Sequence, residues 1–353
     1  MEKVACPDFP VRASGNHERP ALASLYAVAG RSVCVECGDA QTAELFRRYF
    51  AGWHVAPLAD AEGVPSDATI SVRAACAPPR APAGFESFEI AGGGVCRTDG
   101  RTYLFEVGDS TVRVCGDSQT RVEVWIGDSP RARERAALAR LVFNASMTAM
   151  RRCGLFELHG AGVVEPGGAG FLFVGPSGSG KSTLATQLAS AGWRYLSDDS
   201  LLLYSRGEKV EARALRRAFA VTDATVAAGP LCGFQDLLTE ALPFDPQKRR
   251  FEPEAVFPGA FVETCDPRAI FFPVVTGKRA SRTRALSQAE TMARLLRMCP
   301  WACYDRPAAQ AHLDALARLA RQAAGFDLFA GADLLGDAAH ACRFLLSRAG
   351  GVQ

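Results

Sequence analysis

The feature that most constrains this chain is the segment Gly175-Pro-Ser-Gly-Ser-Gly-Lys-Ser-Thr183. It matches the pattern G-x-x-x-x-G-K-[ST], in which a glycine-rich turn between a strand and a helix holds phosphate. The apolar residues 171–174 predict a short buried strand, and residues 182–189 predict the helix that follows. The order strand, glycine turn, helix therefore predicts a phosphate-binding loop within an α/β domain.

Each residue type in this loop has a chemical task. Successive backbone N–H groups and the helix start point at one anion, Lys181 can reach the β- and γ-phosphates, and the Ser182 hydroxyl is placed to bind Mg²⁺. Lysine is scarce in the chain, with five against thirty-five arginines, which argues against a chance match. We therefore predict ATP and Mg²⁺ as cofactors, and a nucleotide site built from Gly175, Ser177, Gly178, Ser179, Gly180, Lys181, Ser182 and Thr183.

A pair of adjacent acids follows the predicted helix. Asp198 lies 17 residues beyond Lys181, and one helix with a short return brings the chain back beside the loop. Adjacent side chains on a strand point to opposite faces, so one carboxylate could meet Mg²⁺ while the other meets an incoming hydroxyl. Phosphoryl transfer needs metal, positioning and a proton acceptor, so the pair predicts catalysis rather than binding alone.

His159 lies on a predicted strand, residues 155–164, which a glycine-rich turn joins directly to strand 171–174. So short a connection predicts a hairpin and hence a mixed sheet, because parallel strands need a long crossover. The position of His159 beside the loop predicts a proton-relay or supporting role in catalysis.

The run from His159-Gly160 through the loop to Ser197-Asp-Asp199 resembles the catalytic domain of HPr kinase/phosphorylase. It is also similar to related bacterial serine kinases, including those that phosphorylate lasso-peptide precursors. The resemblance is specific over residues 150–205 and weaker at 219–222, 247–253, 269–273 and 286–290. It implies the fold shared with phosphoenolpyruvate carboxykinase and transfer of the γ-phosphoryl group of ATP to a serine.

The resemblance also implies roles for the two acids. Asp198 corresponds to the base that receives the proton of the serine, and Asp199 corresponds to the acid on the metal side. The family's glycine-rich stretch with a glutamate and an arginine is not found in residues 206–235. We therefore expect an acceptor other than HPr, such as a peptide, a small protein or the precursor of a ribosomally synthesised and modified peptide (RiPP).

Two alternatives stay open: a small-molecule kinase on the same fold, and a nucleotide-binding regulator that transfers nothing. A transporter ATPase is excluded because the chain has no L-S-G-G-Q signature and no apolar run that ends in Asp-Glu. Self-association into a homo-oligomer is also left open.

Charge and composition bound the partners and the location. The net charge of +2 gives no case for a nucleic-acid or membrane partner. The chain has no run of eighteen apolar residues, and residues 1–7 lack the apolar segment of a signal peptide, so we expect a cytoplasmic protein. Cys34 and Cys37 form a lone C-x-x-C pair without a second pair at zinc-site spacing.

The layout predicts two domains. Residues 1–133 contain alternating strands without a chemical motif, which predicts an α+β accessory or acceptor-docking domain. Residues 134–353 hold the motifs and predict the catalytic domain, entered by a helix at 131–153 and closed by helices at 287–298, 306–323 and 332–348. The basic cluster 247–250 lies in a predicted loop between the entry helix and the three closing helices. Arg249 in this cluster is a candidate to bind the γ-phosphate.

Overall fold

The computed structural model describes residues 22–58, 65–74, 78–89, 94–114, 121–129, 135–228, 231, 233–239, 241–242 and 245–350. They form two compact units. The first holds the described residues up to Ala27, together with Arg31–Arg48 and Pro57–Ala149; the second holds Val28–Gly30, Tyr49–Ala56 and the described residues from Met150 onward. Residues 1–7, where the sequence predicts no signal peptide, lie outside the described part of the chain.

The N-terminal part forms a nine-stranded sheet. Its elements are β1 (Leu22–Val28), β2 (Arg31–Cys37), α1 (Ala40–Ala51), β3 (Val55–Leu58), β4 (Ala68–Ala74), β5 (Glu86–Glu89), β6 (Val95–Thr98), β7 (Tyr103–Val107), β8 (Ser110–Val114), β9 (Arg121–Ile126) and α2 (Arg135–Arg152). The strand order is β3-β1-β2-β4-β9-β8-β7-β6-β5. Strands β5 to β9 form an antiparallel meander, while β2, β4 and β9 run parallel.

The second unit holds the phosphate-binding motif. Its strands are β10 (Leu155–Val164), β11 (Gly170–Val174), β12 (Arg194–Ser197), β13 (Ser200–Arg206), β14 (Lys209–Ala214), β15 (Phe219–Thr222), β16 (Ala241–Leu242), β17 (Asp245–Phe251), β18 (Thr264–Cys265), β19 (Pro267–Val275), β20 (Arg282–Leu286) and β21 (Ala324–Ala330). Its helices are α3 (Lys181–Ser190), α4 (Asp223–Ala228), α5 (Pro253–Val256), α6 (Gln288–Met298), α7 (Trp301–Tyr304), α8 (Arg306–Gln322), α9 (Asp333–Gly336) and α10 (Ala338–Ala349).

The main sheet of this unit has the order β18-β14-β13-β10-β11-β19-β21-β20, with β12 also paired to β10. Strands β10 and β11 form the predicted antiparallel hairpin, whereas β11, β19 and β21 run parallel, so the sheet is mixed. A second sheet, β15-β17-β16, lies off the main one.

Strand β11 shows how the sheet is buried on both faces. Phe171 and Phe173 belong to one apolar cluster with residues of α3 and α10, while Leu172 and Val174 belong to another with residues of α6 and α8. Successive strand residues point to opposite faces, so four consecutive apolar residues cover both. Helices therefore sandwich the strand that leads into the phosphate-binding loop.

Two local predictions were wrong. Residues 247–250 were predicted as a loop, but they lie on β17 because their backbone pairs with β15. Asp198 and Asp199 were placed on a strand, but they form the bend between β12 and β13. The helix predicted at 131–153 is described as α2 from Arg135, and residues 131–134 lie outside the described part. No helix in the described ranges is long and apolar enough to cross a membrane.

Candidate functional site

The turn between β11 and α3 has the backbone geometry of an anion cradle. Gly178 and Gly180 have φ values of 81° and 98°, which residues with a side chain rarely adopt. Gly180 is the N-cap of α3, and no side chain caps the first helical turn. The first N–H groups of the helix have no intrahelical acceptor, so they are available to an anion at the positive end of the helix dipole.

The remaining loop side chains line or brace this turn. Ser177 Oγ accepts a hydrogen bond from Lys248 Nζ at 2.9 Å. The hydroxyl oxygens of Thr183 and Thr225 lie 2.9 Å apart. Ser179 is buried against Gly175, where a Cβ would come within 3.0 Å of Ser179 Oγ.

Lys181 is folded back onto its own loop. Its Nζ donates to the carbonyl oxygens of Gly175 at 2.7 Å and Pro176 at 2.8 Å, and lies 3.2 Å from His159 Nε2. Burial lowers the pKa of Lys181 to about 8, against the opposing effect of Asp199. The lysine is thus held at the mouth of the loop.

His159 links Lys181 to Asp199. Its Nδ1 lies 3.4 Å from Asp199 Oδ1, on the side of the ring opposite Lys181. Burial lowers the pKa of His159, although the Asp199 carboxylate opposes the change. This arrangement fits a neutral imidazole that donates from Nδ1 to Asp199 and accepts at Nε2.

The two acids have different surroundings. Asp198 is 1% exposed; its Oδ2 accepts from the Ala220 N–H at 2.8 Å, and the Ser182 hydroxyl lies close enough to lower its pKa. Its Oδ1 is buried without a hydrogen-bond partner among the described residues. Burial, together with the charge of Asp199, raises the pKa of Asp198 to about 6.

The Asp199 side chain is 25% exposed and lines the cleft. Its Oδ2 accepts from Ser200 Oγ at 3.1 Å and lies 3.5 Å from an Arg216 nitrogen. Burial alone would raise the pKa of Asp199, but its interactions with Arg216, His159 and Lys181 bring it to about 2. The structure thus places Asp198 beside Ser182, and Asp199 beside His159.

The residues around Ser182 fit a magnesium ion. A buried, unpartnered carboxylate oxygen on Asp198 and a neighbouring hydroxyl are the hard oxygen donors that Mg²⁺ takes. No cluster of three or more His, Cys, Asp or Glu side chains suited to a metal occurs among the described residues. Mg²⁺ in kinases is held by one or two carboxylates together with phosphate oxygens and water, so the small donor set suits it.

The basic cluster contributes different side chains from the one predicted. Lys248 and Arg250 are two residues apart on β17 and share a face, whereas Arg249 points the other way and lies 3.4 Å from Asp223. Lys248 lines the cleft, and its charge acts on Lys181 and His159. Because side chains alternate along a strand but not along a loop, the strand places Lys248 rather than Arg249 at the cleft.

Arg216 is a further site residue that the sequence did not reveal. Burial opposes its charged form, but Asp199 and Tyr49 outweigh this and raise the pKa of Arg216. It follows β14, in the 206–235 stretch where no motif was found. Only its place next to Asp199 in the fold identifies it.

Residues 49–56 supply part of the wall around Arg216. Trp53 and Arg216 form an isolated antiparallel bridge, and the His54 N–H donates to the Leu215 carbonyl at 2.7 Å. Arg217 Nε donates to the Trp53 carbonyl at 2.6 Å. A segment distant in sequence thus acts as an added strand of the second unit.

The cleft beside the loop has a volume of about 240 Å³. The loop, Asp199 and Lys248 form its polar end, while Val275, Ala330 and Leu335 line an apolar part. A cleft with both charged and apolar lining suits a ligand that has a phosphate chain and a nucleobase.

Comparisons with known proteins add little to this geometry. No family model and no curated protein matches the sequence significantly. Among solved structures, the HPr(Ser) kinase/phosphatase from Coxiella burnetii aligns with 37% of this chain and 77% of its own, at 14% identity and a TM-score of 0.23. A likeness of that size does not establish a shared fold.

Proposed function

We propose that this protein is an ATP- and Mg²⁺-dependent phosphotransferase that transfers the γ-phosphoryl group to a seryl hydroxyl of a peptide or small protein. One observation carries the proposal: the loop lysine and Asp199 line one cleft and are joined through His159, which contacts both. Binding alone requires the loop but has no use for a hydrogen-bonded carboxylate and imidazole at its γ-phosphate end.

The contacts favour one division of labour. Ser182 and Asp198 would hold a magnesium ion, which would neutralise charge on the phosphates. Lys181 leaves its loop carbonyls for the β- and γ-phosphates and thereby frees His159 Nε2. This division exchanges the roles that the resemblance assigns to the two acids, because Asp198 is buried at Ser182 while Asp199 is open to the cleft.

The freed imidazole is placed to accept the proton. In the proposed reaction the acceptor oxygen bonds to the γ-phosphorus as the bond from that phosphorus to the β–γ bridging oxygen breaks, and the hydroxyl proton passes to His159 Nε2. Asp199, held ionised by its neighbours, orients the ring and stabilises the imidazolium. Products are ADP and a phosphoserine.

The regulator alternative predicts nucleotide binding without transfer, and the small-molecule alternative predicts transfer to a metabolite only. Purified protein with Mg²⁺ and γ-labelled ATP is therefore offered a serine-peptide array, a small-protein fraction and a metabolite pool. We expect label on peptide or protein and none from a Lys181→Ala variant. Lys209→Ala, which removes a lysine that is 71% exposed and far along the chain from the loop, is the matched control.

Nucleotide affinity, measured by calorimetry, separates the possible failures. Lys181→Ala should weaken ATP binding because it removes the charge that meets the β/γ-phosphates. Wild-type binding without transfer to any pool would reject the enzyme proposal in favour of the regulator. Unchanged ATP affinity in the variant would reject the phosphate-loop assignment itself.

A further inference from the structure

Two arginines lie near the two acids of the site: Arg216 contacts Asp199, and Arg250 pairs through its backbone with Ala220, whose N–H binds Asp198. Arg250 is on β17 with its backbone paired to Ala220, and Arg216 follows β14. Burial and then the charge of Arg216 lower the pKa of Arg250, so the two positive charges are close enough to repel. We call Arg216 and Arg250 the arginine pair.

Three carboxyl groups face the arginine pair, and each has another task. Asp199 contacts Arg216 and His159. Asp198 accepts from the Ala220 N–H and lies near Ser182. Glu157, the third, is buried, and burial raises its pKa and so favours its neutral form.

Arg250 is left without a counter-charge of its own. Among the residues that the structure describes, its half-buried guanidinium makes no hydrogen bond or ion pair; the ionisable groups that act on it are Arg216, Tyr49, Asp198 and Asp199. A planar guanidinium is built to bind carboxylate or phosphate through two parallel hydrogen bonds. The Arg250 guanidinium, with Arg216 as its neighbour, therefore provides a site for an anion.

The position of the pair separates this site from the nucleotide phosphates. Lys248 contacts the loop at Ser177, and Arg250 is two residues further along the same strand, about 6.6 Å away. Arg250 is therefore displaced from the loop toward Arg216 and Tyr49, beyond the γ-phosphate end. The arginine pair thus lies on the side of the two acids, through Arg216 at Asp199 and Ala220 at Asp198.

We propose that the arginine pair binds an anionic group of the acceptor, a carboxylate or a phosphate that lies close to the hydroxyl to be phosphorylated. The inference rests on the proposed function and names its substrate class: serine next to an acidic or already phosphorylated residue. An acceptor with a basic residue at that place is repelled by both guanidiniums.

The test uses the full chain and serine peptides that differ at one position. Aspartate, glutamate or phosphoserine within two residues of the acceptor serine is compared with asparagine, glutamine or lysine there. We expect the acidic peptides to have a KM at least tenfold lower, and the aspartate and phosphoserine arms to reveal which anion the site takes. Equal use of acidic and neutral peptides would overturn the inference and leave the kinase proposal intact.

Variants of Arg250 tie the preference to the site. Arg250→Met keeps the apolar length of the side chain and should abolish the acidic preference while the KM for ATP stays within about twofold. Arg250→Lys should retain part of the acidic preference, because lysine keeps the positive charge but lacks the two parallel donors of a guanidinium. Arg297→Met, which removes an exposed arginine on α6, is the control. A raised KM for ATP in Arg250→Met, with peptide preference unchanged, would assign Arg250 to the γ-phosphate instead and overturn the inference.

If no peptide is phosphorylated, an anion-binding measurement tests the arginine pair directly. Inorganic phosphate, and separately succinate, is titrated into protein saturated with Mg²⁺ and the non-hydrolysable analogue AMP-PNP, which fills the γ-phosphate position. Binding to wild type that Arg250→Met lacks would support the anion site even though the kinase proposal had failed. Binding that is absent, or equal in both proteins, would overturn the site as well.

Discussion

The exchange of roles between the two acids predicts opposite defects for two conservative variants. Asp199→Asn should slow phosphoryl transfer and leave Mg²⁺-dependent ATP affinity nearly unchanged, because it removes the partner of His159. Asp198→Asn should abolish the part of ATP affinity that depends on Mg²⁺ and leave affinity for metal-free ATP unchanged. Both substitutions preserve side-chain size, so the difference lies in charge.

The size of the Asp199 effect follows from its distance to His159. Unit charges 3.4 Å apart attract by about 5 kcal/mol at an effective dielectric constant of about 20. The two side chains are 30% and 25% exposed, so solvent screening leaves about half of this, roughly 2.5 kcal/mol. If the imidazolium is fully formed in the transition state, transfer should fall by roughly 10²-fold.

The assay pairs single-turnover transfer to the best peptide of the array with calorimetric titration of ATP, with and without Mg²⁺. Asp314→Asn, on the exposed side of α8, controls for the loss of an aspartate. The reasoning is refuted if Asp198→Asn keeps Mg²⁺-dependent affinity but loses transfer while Asp199→Asn loses the Mg²⁺ dependence. That result would restore the roles implied by the family resemblance.

Three further predictions concern other parts of the second unit. Lys248→Ala should weaken ATP binding about tenfold, which is the loss expected for one hydrogen bond to a charged group. Arg249→Ala should leave ATP affinity unchanged, because Arg249 lies near Asp223 instead. Calorimetric titration with ATP compares the two affinities. His312 is stacked on Phe156, and burial lowers the pKa of His312 to about 4. The stability that it contributes is therefore present above pH 6.5 and is lost as the pH falls from 6.5 toward 4. His312→Phe should make the denaturation midpoint less dependent on pH across that range, and an unchanged pH dependence would contradict this. A chain shortened to residues 134–353 lacks segment 49–56 and should unfold at a lower temperature and bind ATP more weakly; full stability would show that the added strand is dispensable.

The sequence predicts the centre of this site well because the chemistry there is local. A glycine turn between an apolar strand and a helix predicts its own geometry, so β11, α3 and the β10–β11 hairpin form where the residue pattern indicates. The positions of Lys181 and His159 follow from those three elements.

The outer wall of the site could not be predicted because long-range pairing builds it. The charged residues Lys248, Arg249 and Arg250 do not alternate with apolar ones, so the strand they form has no sequence signature; only its pairing with β15 determines which of them faces the cleft. Arg216 and Tyr49 lie far apart in sequence and meet through the bridge at Trp53. Asp198 and Asp199 were found, but their contacts depend on a bend rather than on strand alternation.

The fold-back of Lys181 onto its own loop has a consequence for ligand choice. An ammonium group has three donors, and here two carbonyl oxygens and an imidazole nitrogen already accept from it. An anion that binds the Lys181 ammonium must therefore replace all three of these hydrogen-bond partners. In the proposed complex a lone phosphate would gain little by that exchange, whereas a triphosphate would also gain the helix N–H groups, a magnesium ion and Lys248. We therefore expect the loop to prefer ligands long enough to engage the helix and the lysine together over the small anions of a cell.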